Sequence, residues 1–359
     1  MAKAPLKIPC LDGLRAVSIL LVVLSHAAGT AGFPYKGHGN WMGHFGVRVF
    51  FIISGYLITR LLLEEHAERG SISLLKFYFR RTFRIFPPFY VLVGIVAVLA
   101  FAGVAHLHSG DLFHAMTYTM NYHPDPGRGW ELGHLWSLAV EEQFYLLWPA
   151  VVLLLKPRHA WIAAAIALVA CPIVRFATFR WFPASASTVD ESFQTVADTL
   201  ATGCLLALVR ARLDAVAWFV RIQSFAVTPL VHFGLAIAVF QLQDHVTFSS
   251  LVGESIVNVL LGLTIDACLR TPHSVIGRFL EWRPIAFIGV LSYSIYLVQQ
   301  VLLLHDATAW YARFPQNLGF TAIAAVLMHY LIEKPALARR VRLQGMLFPS
   351  RAAEPPART

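Results

Sequence analysis

The sequence predicts an all-α fold: a polytopic bundle of about ten membrane-spanning helices with both termini cytoplasmic. Three observations predict it. The 359-residue chain is 57% hydrophobic and 14% charged, against about 25% charged residues in an average soluble domain. Its apolar residues fall in runs of roughly 19, enough to cross a hydrocarbon core as helix. Its basic residues lie at alternate ends of those runs.

Taken in order, the runs are Leu11–Ala31, Gly46–Glu64, Pro88–His106, Ser137–Leu155, Ala160–Phe179, Ser192–Val209, Phe225–Gln241, Ser250–Leu269, Ile285–Leu304 and Gly319–Glu333. The first is too long, and too polar at its start, for a cleavable leader, and is read as a retained span. The sixth is the weakest, because Gln194, Asp198 and Thr199 interrupt it. An even number puts both ends of the chain on one side. With the N-terminus inside, only Lys36, Arg48, Arg128, Arg175, Arg180 and Arg313 fall outside, six of the 29 cations. That bias accounts for the net charge of +9 by topology, so no nucleic-acid partner is expected. Trp41, Trp130, Trp136, Trp181 and Trp310 fall where an outer aromatic belt would lie. Residues 1–345 form one membrane domain, and 346–359 are read as a disordered cytoplasmic tail. Four scattered cysteines suggest neither a zinc site nor a disulfide framework. His106, His108, His114 and His123 of the outer loop, beside the turn-rich Pro124–Gly129 segment, lack ligand spacing, so no metal is expected and they are read as solvated.

Two ionisable residues share the first span. Arg15 and His26 are eleven residues apart, about three full turns, so they share a face roughly 16 Å apart along the axis. Ionisable groups in a membrane helix are costly and are usually retained for a job. An imidazole can take a proton from a hydroxyl near neutrality. Taken alone, His26 reads equally as a hydrogen-bonded packing residue and Arg15 as a snorkelling cation. Asp12 lies one turn below Arg15. Arg80, Arg81 and Arg84 read either as an interfacial helix on anionic lipid or as a phosphate clamp, Arg81 and Arg84 sharing a face. Glu141 and Glu142 sit about one turn inside the fourth span. Glu141 either neutralises an internal cation such as Arg48 or works on substrate. Trp136 and Tyr145 suit stacking on a sugar as well as belt positions. Glu333 is expected to pair with a cytoplasmic arginine.

Six segments in order carry a family resemblance: Leu11-Asp-Gly-Leu-Arg-Ala16 with Ser25-His26; Gly46 to Thr59; Phe79-Arg-Arg-Thr-Phe-Arg-Ile-Phe-Pro-Pro88; His134 to Pro149, containing Glu-Glu-Gln-Phe-Tyr; Ser292-Tyr-Ser-Ile-Tyr-Leu297; and Tyr330-Leu-Ile-Glu-Lys-Pro335. The chain resembles the acyltransferase 3 family of integral-membrane acyltransferases from residue 11 to about 340. The resemblance implies an O-acyltransferase that takes an acyl group, expected to be acetyl, from cytoplasmic acyl-CoA as co-substrate, with no resident cofactor. The expected acceptor is a hydroxyl of a lipid-linked or cell-surface glycan, at a bacterial inner membrane. It implies His26 as the catalytic residue with Arg15 and Glu141, a donor site at Arg15, Arg81 and Arg84, and acceptor contacts at Asp12, Trp136, Ser137 and Tyr145. A separate extracytoplasmic partner protein fits the same picture. Two departures stand out: many relatives carry an acid at Arg48 and a histidine at Gln299. Gln299 can hydrogen-bond but cannot shuttle a proton. Two rival readings remain: an acceptor that is a small molecule such as a macrolide or lipid, and a proton-coupled transporter or acyl exporter. Absent repeat symmetry and the lack of broken helix pairs weigh against the transporter.

Overall fold

The computed structural model describes residues 8–34, 40–124, 128–182, 188–242, 249–305, 307 and 309–348. Lys3, Lys7, Lys36, the centre of the Pro124–Gly129 turn and the expected tail from residue 349 lie outside the described residues. Within a bilayer every backbone polar group needs an internal partner, and helices supply it. The helices are α1 (Pro9–Ala27), α2 (Asn40–Arg69), α3 (Leu74–Phe101), α4 (Asp111–Met116), α5 (Trp130–Gly133), α6 (Leu135–Leu155), α7 (Ala160–Trp181), α8 (Phe193–Asp214), α9 (Ala217–Gln223), α10 (Thr228–Gln241), α11 (Glu254–Arg270), α12 (Val275–Leu280), α13 (Arg283–Leu302), α14 (Gln316–Met328) and α15 (Lys334–Leu347). No strand occurs among the described residues. Pro9 opens α1 at its first turn, where the missing N–H costs nothing. Ser73 caps α3 by accepting from the Lys76 N–H. One π-turn, Ser249–Gly253, precedes α11, and another, His329–Glu333, joins α14 to α15.

Eight described helices are long and apolar enough to cross a membrane, and α9 with α10 make a ninth if their 82° bend is one broken span. Each of the ten predicted spans coincides with helix, but the count of ten is not reached by length and composition. The shortfall is α8. It is sheathed by α2 and α7 rather than by lipid, and its buried Asp198 is paired with Arg175 of α7. Its polar residues meet protein, so it needs no apolar exterior. The α9–α10 bend also corrects the expectation that broken helix pairs are lacking. By contrast, α7 turns Ile162, Ile166, Val169 and Ile173 outward and buries Ala160, Ala164 and Arg175, the pattern of a helix with one lipid-facing side.

Two apolar cores share α1 and α2. One joins them to α3, α6, α8 and α13, and the other to α8, α10, α11 and α12. Backbones approach closely where glycine allows it. A Cβ on Gly55 of α2 would strike the Leu200 carbonyl of α8, and one on Gly203 of α8 would strike Ile52 of α2. Gly289 of α13 lies likewise on the Asp12 backbone of α1. Small residues at membrane interfaces let helices pack by van der Waals contact where no hydrophobic force drives them together. The Gly289 contact sets α13 alongside α1 and fixes what the polar face of α1 meets.

Several polar residues sit otherwise than the sequence suggested. Arg48 does not pair with Glu141. It is buried, 2.6 Å from Glu254, which also lies 2.9 Å from Arg175. Glu333 pairs with no arginine among the described residues. It lies 2.9 Å from His329 Nδ1 and accepts from the Ser294 hydroxyl at 3.0 Å, because the π-turn rotates it into the bundle. The outer-loop histidines are not uniformly solvated. His106 and His108 are exposed, but His123 is buried, 3.4 Å from Asp111 and edge-on to His114. Asp111 accepts from the His108 and Gly129 N–H groups and folds the loop over them. No group of three or more metal-ligating side chains occurs among the described residues. Trp181 and Trp310 are exposed as belt residues would be. Trp136 is buried against His44 and Phe51, because α6 enters the bundle there.

Candidate active site

The polar face of α1 looks onto α13. At one end, Arg15 borders a cavity of about 720 Å³, counting its open mouth. Arg81, Arg84 and Ile85 of α3 line it, with Ser54 of α2, Ser137, Glu141, Glu142 and Tyr145 of α6, and Ser292, Tyr293 and Tyr296 of α13. At the other end of α1, His26 Nδ1 lies 2.7 Å from Gln299 Oε1, and Gln300 Nε2 lies 3.3 Å from His26 Nε2. Residues 292, 296, 299 and 300 form one stripe of α13 at helical spacing, so Arg15 and His26 address the same face of the same neighbour.

The cavity's charges are unevenly matched. Glu141 accepts hydrogen bonds from the Ser54 and Tyr145 hydroxyls. Arg81 stacks over the Tyr145 ring at 4.2 Å, a cation–π contact that orients the guanidinium without neutralising it. Arg15 has Asp12 at 3.8 Å, one turn below. Arg81 and Arg84 have no carboxylate within ion-pair distance among the described residues. Two guanidiniums without an ion pair, beside the carboxylates of Glu141 and Glu142 in the same wall, leave that end of the cavity suited to an anionic ligand.

A chain of hydrogen bonds joins this cavity to the imidazole. The Ser137 and Tyr296 hydroxyls meet at 2.5 Å, and Tyr296 donates to the His134 carbonyl at 2.8 Å. The His134 N–H and Nδ1 both reach Gln300 Oε1, at 3.0 and 2.8 Å. Gln300 then offers its amide N–H to His26 Nε2. Gln299 Oε1 can only accept, so its bond places the imidazole proton on Nδ1 and leaves Nε2 as the basic nitrogen. Trp130 closes the ring from the side, edge-on at 5.3 Å, held by its own N–H to the carbonyls of Gln300 and Leu303. His305 Nε2 lies 3.0 Å from the His26 carbonyl. Beyond this end of α1, Arg128 and Glu191 form an ion pair of 2.5 Å. Burial pushes the Glu191 carboxyl up from its ordinary range, and Arg128 offsets only part of that rise.

Of the residues singled out in the sequence, Arg15, Arg81, Arg84, Ser137, Glu141 and Tyr145 thus line one cavity. His26 lies beyond the Ser137–Tyr296 contact at its end. Asp12 acts on Arg15 rather than on the cavity wall, and Trp136 lines no part of it. The sequence reading gives Ser54, His134, Tyr296 and Gln300 no role, and Trp130, expected in the outer belt, packs edge-on against His26 instead. His134, Ser137 and Tyr296 stand within the quoted motifs, but a motif does not say which of its members meet.

A family model described as an acyltransferase domain matches residues 8–331. The chain is 29% identical over 368 residues to the putative peptidoglycan O-acetyltransferase YrhL of Bacillus subtilis (strain 168), covering 94% of this chain and 55% of that protein. It is 30% identical over 365 residues to the peptidoglycan O-acetyltransferase OatA of Listeria monocytogenes serovar 1/2a, covering 91% and 55%. It is 28% identical over 370 residues to the O-acetyltransferase OatA of Staphylococcus aureus (strain NCTC 8325 / PS 47), covering 92% and 57%. The chain therefore spans about half the length of the curated relatives it matches. No solved structure matches it.

Proposed function

This chain belongs to the acyltransferase 3 family, and from that premise we propose that it is a membrane O-acetyltransferase that moves an acetyl group from acetyl-CoA to a hydroxyl of a cell-surface glycan of the peptidoglycan type. The glycan class is carried over from the printed names of the relatives. The observation that carries the reading is a cavity with Arg81 and Arg84, in no ion pair among the described residues, at one end and a bonded path to a tautomer-fixed imidazole at the other.

In this reading Arg81 and Arg84, with Arg15, hold the phosphates of the donor on the cytoplasmic side of a bacterial inner membrane. The pantetheine arm lies along the cavity past Glu141 and Tyr145. The Ser137–Tyr296 contact parts as the thioester advances toward His26. The acceptor enters from the outer side. His26 Nε2 takes the hydroxyl proton as the oxygen attacks the thioester carbon. The C–S bond breaks, the proton passes to the departing thiolate, and the products are the acetyl ester and CoA. Gln299 acts as a positioning residue by keeping the proton on Nδ1.

The test uses the full chain purified in detergent, with labelled acetyl-CoA and glycan fragments. His26→Ala is expected to lower turnover roughly 10²–10⁴-fold, the usual worth of a positioned general base, with protein abundance unchanged. Unchanged turnover removes the assignment. The bent α9–α10 pair keeps the transporter reading in view. Transfer in detergent, where no sealed compartment exists, excludes obligatory transport.

A further inference from the structure

The family match ends at residue 331, yet α15 (Lys334–Leu347) packs on α3 beside the cavity. Phe348, just past its end, meets the Phe79 ring at 5.7 Å. This packing brings Arg340 to the Arg80–Arg84 segment. Its guanidinium is half-buried there, within electrostatic reach of Arg84, Arg80 and Arg81. Arg84 in turn interacts with Arg15 in the cavity wall. Arg15, Arg81 and Arg84 line the cavity, and Arg340 lies within that reach of Arg84 and Arg81.

Counter-ions do not match them. Arg80 has Glu65 at 3.1 Å and Arg15 has Asp12 at 3.8 Å. Arg340 has no carboxylate within ion-pair distance among the described residues, and its Nε is buried without a hydrogen-bond partner. Like charges brought together in a medium of reduced dielectric repel one another. A buried N–H with no acceptor adds the cost of a lost hydrogen bond. Both costs fall if a phosphate group meets these guanidiniums, whose fork phosphate oxygens fit. A phosphate ester could come from a lipid headgroup or from the donor. Arg84, the arginine whose charge acts most on Arg340, lines the cavity that would hold the donor's arm, which favours the donor.

We propose that Arg340 completes a phosphate-ester site at the Arg81–Arg84 end of the cavity, and that the nucleotide end of the acyl donor fills it. The proposal rests on the acetyl-CoA reading above and adds a binding residue from outside the matched domain.

The test compares acetyl-CoA with S-acetylpantetheine, which carries the same thioester and no nucleotide, on the full chain in uncharged detergent. Arg340→Gln is expected to raise KM for acetyl-CoA about ten-fold, the worth of one charge-assisted hydrogen bond. It should leave KM for acetylpantetheine, and kcat for both donors, unchanged. Arg340→Lys, which keeps the charge without the fork, should fall between, and serves alone if the glutamine variant does not fold. Equal effects on both donors, or none on either, overturn the proposal. It is also overturned if Arg340→Gln keeps its acetyl-CoA KM but releases anionic phospholipid that the wild type retains in native mass spectrometry, which would make the cluster a headgroup site. If wild-type protein uses acetylpantetheine and acetyl-CoA with the same KM, no nucleotide is bound and this proposal fails while the acyltransferase reading stands. If it uses neither, the acyltransferase reading fails first.

Discussion

His26 takes its tautomer from two amides, the Gln299 oxygen at Nδ1 and the Gln300 N–H at Nε2. Gln299 is fully buried, and its Oε1 is the acceptor for His26 Nδ1. Glutamine supplies the orienting bond without a titrating group. Losing that bond should let the imidazole proton divide between its two nitrogens and leave part of the protein without a basic Nε2. Gln299→Leu is expected to lower kcat about ten-fold, a net loss near one orienting hydrogen bond, with KM for the donor unchanged. Gln299→His should restore most of it. Nitrogen NMR of labelled His26 should report the Nδ1–H form in the wild type and a mixture in the leucine variant. An unaltered spectrum would show that something else fixes the ring.

Among the elements, α8 shows how a helix too polar for a lipid environment still belongs to a membrane bundle. Its backbone touches α2 through the reciprocal Gly55 and Gly203 contacts, and its Asp198 is held by both oxygens to Arg175 at 2.9 and 3.0 Å. A larger side chain at either glycine meets backbone, which cannot yield as a flexible side chain would. Gly203→Leu is therefore expected to destabilise the protein by about 3 kcal/mol or more, at or beyond the upper end of overpacking costs. Thermal unfolding in detergent measures it, and an unchanged midpoint would mean that α8 is loosely seated.

Over the whole molecule, charge is divided between a closed cluster and an open one. Arg48, Arg175, Asp198 and Glu254 tie α2, α7, α8 and α11 together. Asn258 and Thr199 accept further hydrogen bonds from Arg48 at 3.2 and 3.4 Å. Both guanidiniums there are answered by carboxylates. The arginines beside the cavity are largely unanswered. The first arrangement holds the bundle together and the second waits for a ligand. Removing the shared carboxylate should show the difference. Glu254→Gln leaves two buried guanidiniums short of charge and is expected to cost about 3–5 kcal/mol of stability. The folded fraction should keep its donor KM, since no residue of that cluster lines the cavity. A large change in KM with stability intact would reverse this division of roles.

The sequence by itself determined the helical membrane class, the placement of the spans, and the shared face of Arg15 and His26. Hydrophobic run length and a period of 3.6 residues are local properties, written along one chain. It also marked Arg81, Arg84, Glu141 and Tyr145 by residue type and depth. Only the tertiary structure decided the partners: Glu254 rather than Glu141 for Arg48, Gln299 and Gln300 for His26, α15 packed on α3, and Trp136 packed away from the cavity. Periodicity says which way a side chain points from its own axis. Which helix stands opposite depends on close backbone contacts such as Gly289 on Asp12, made between residues hundreds of positions apart.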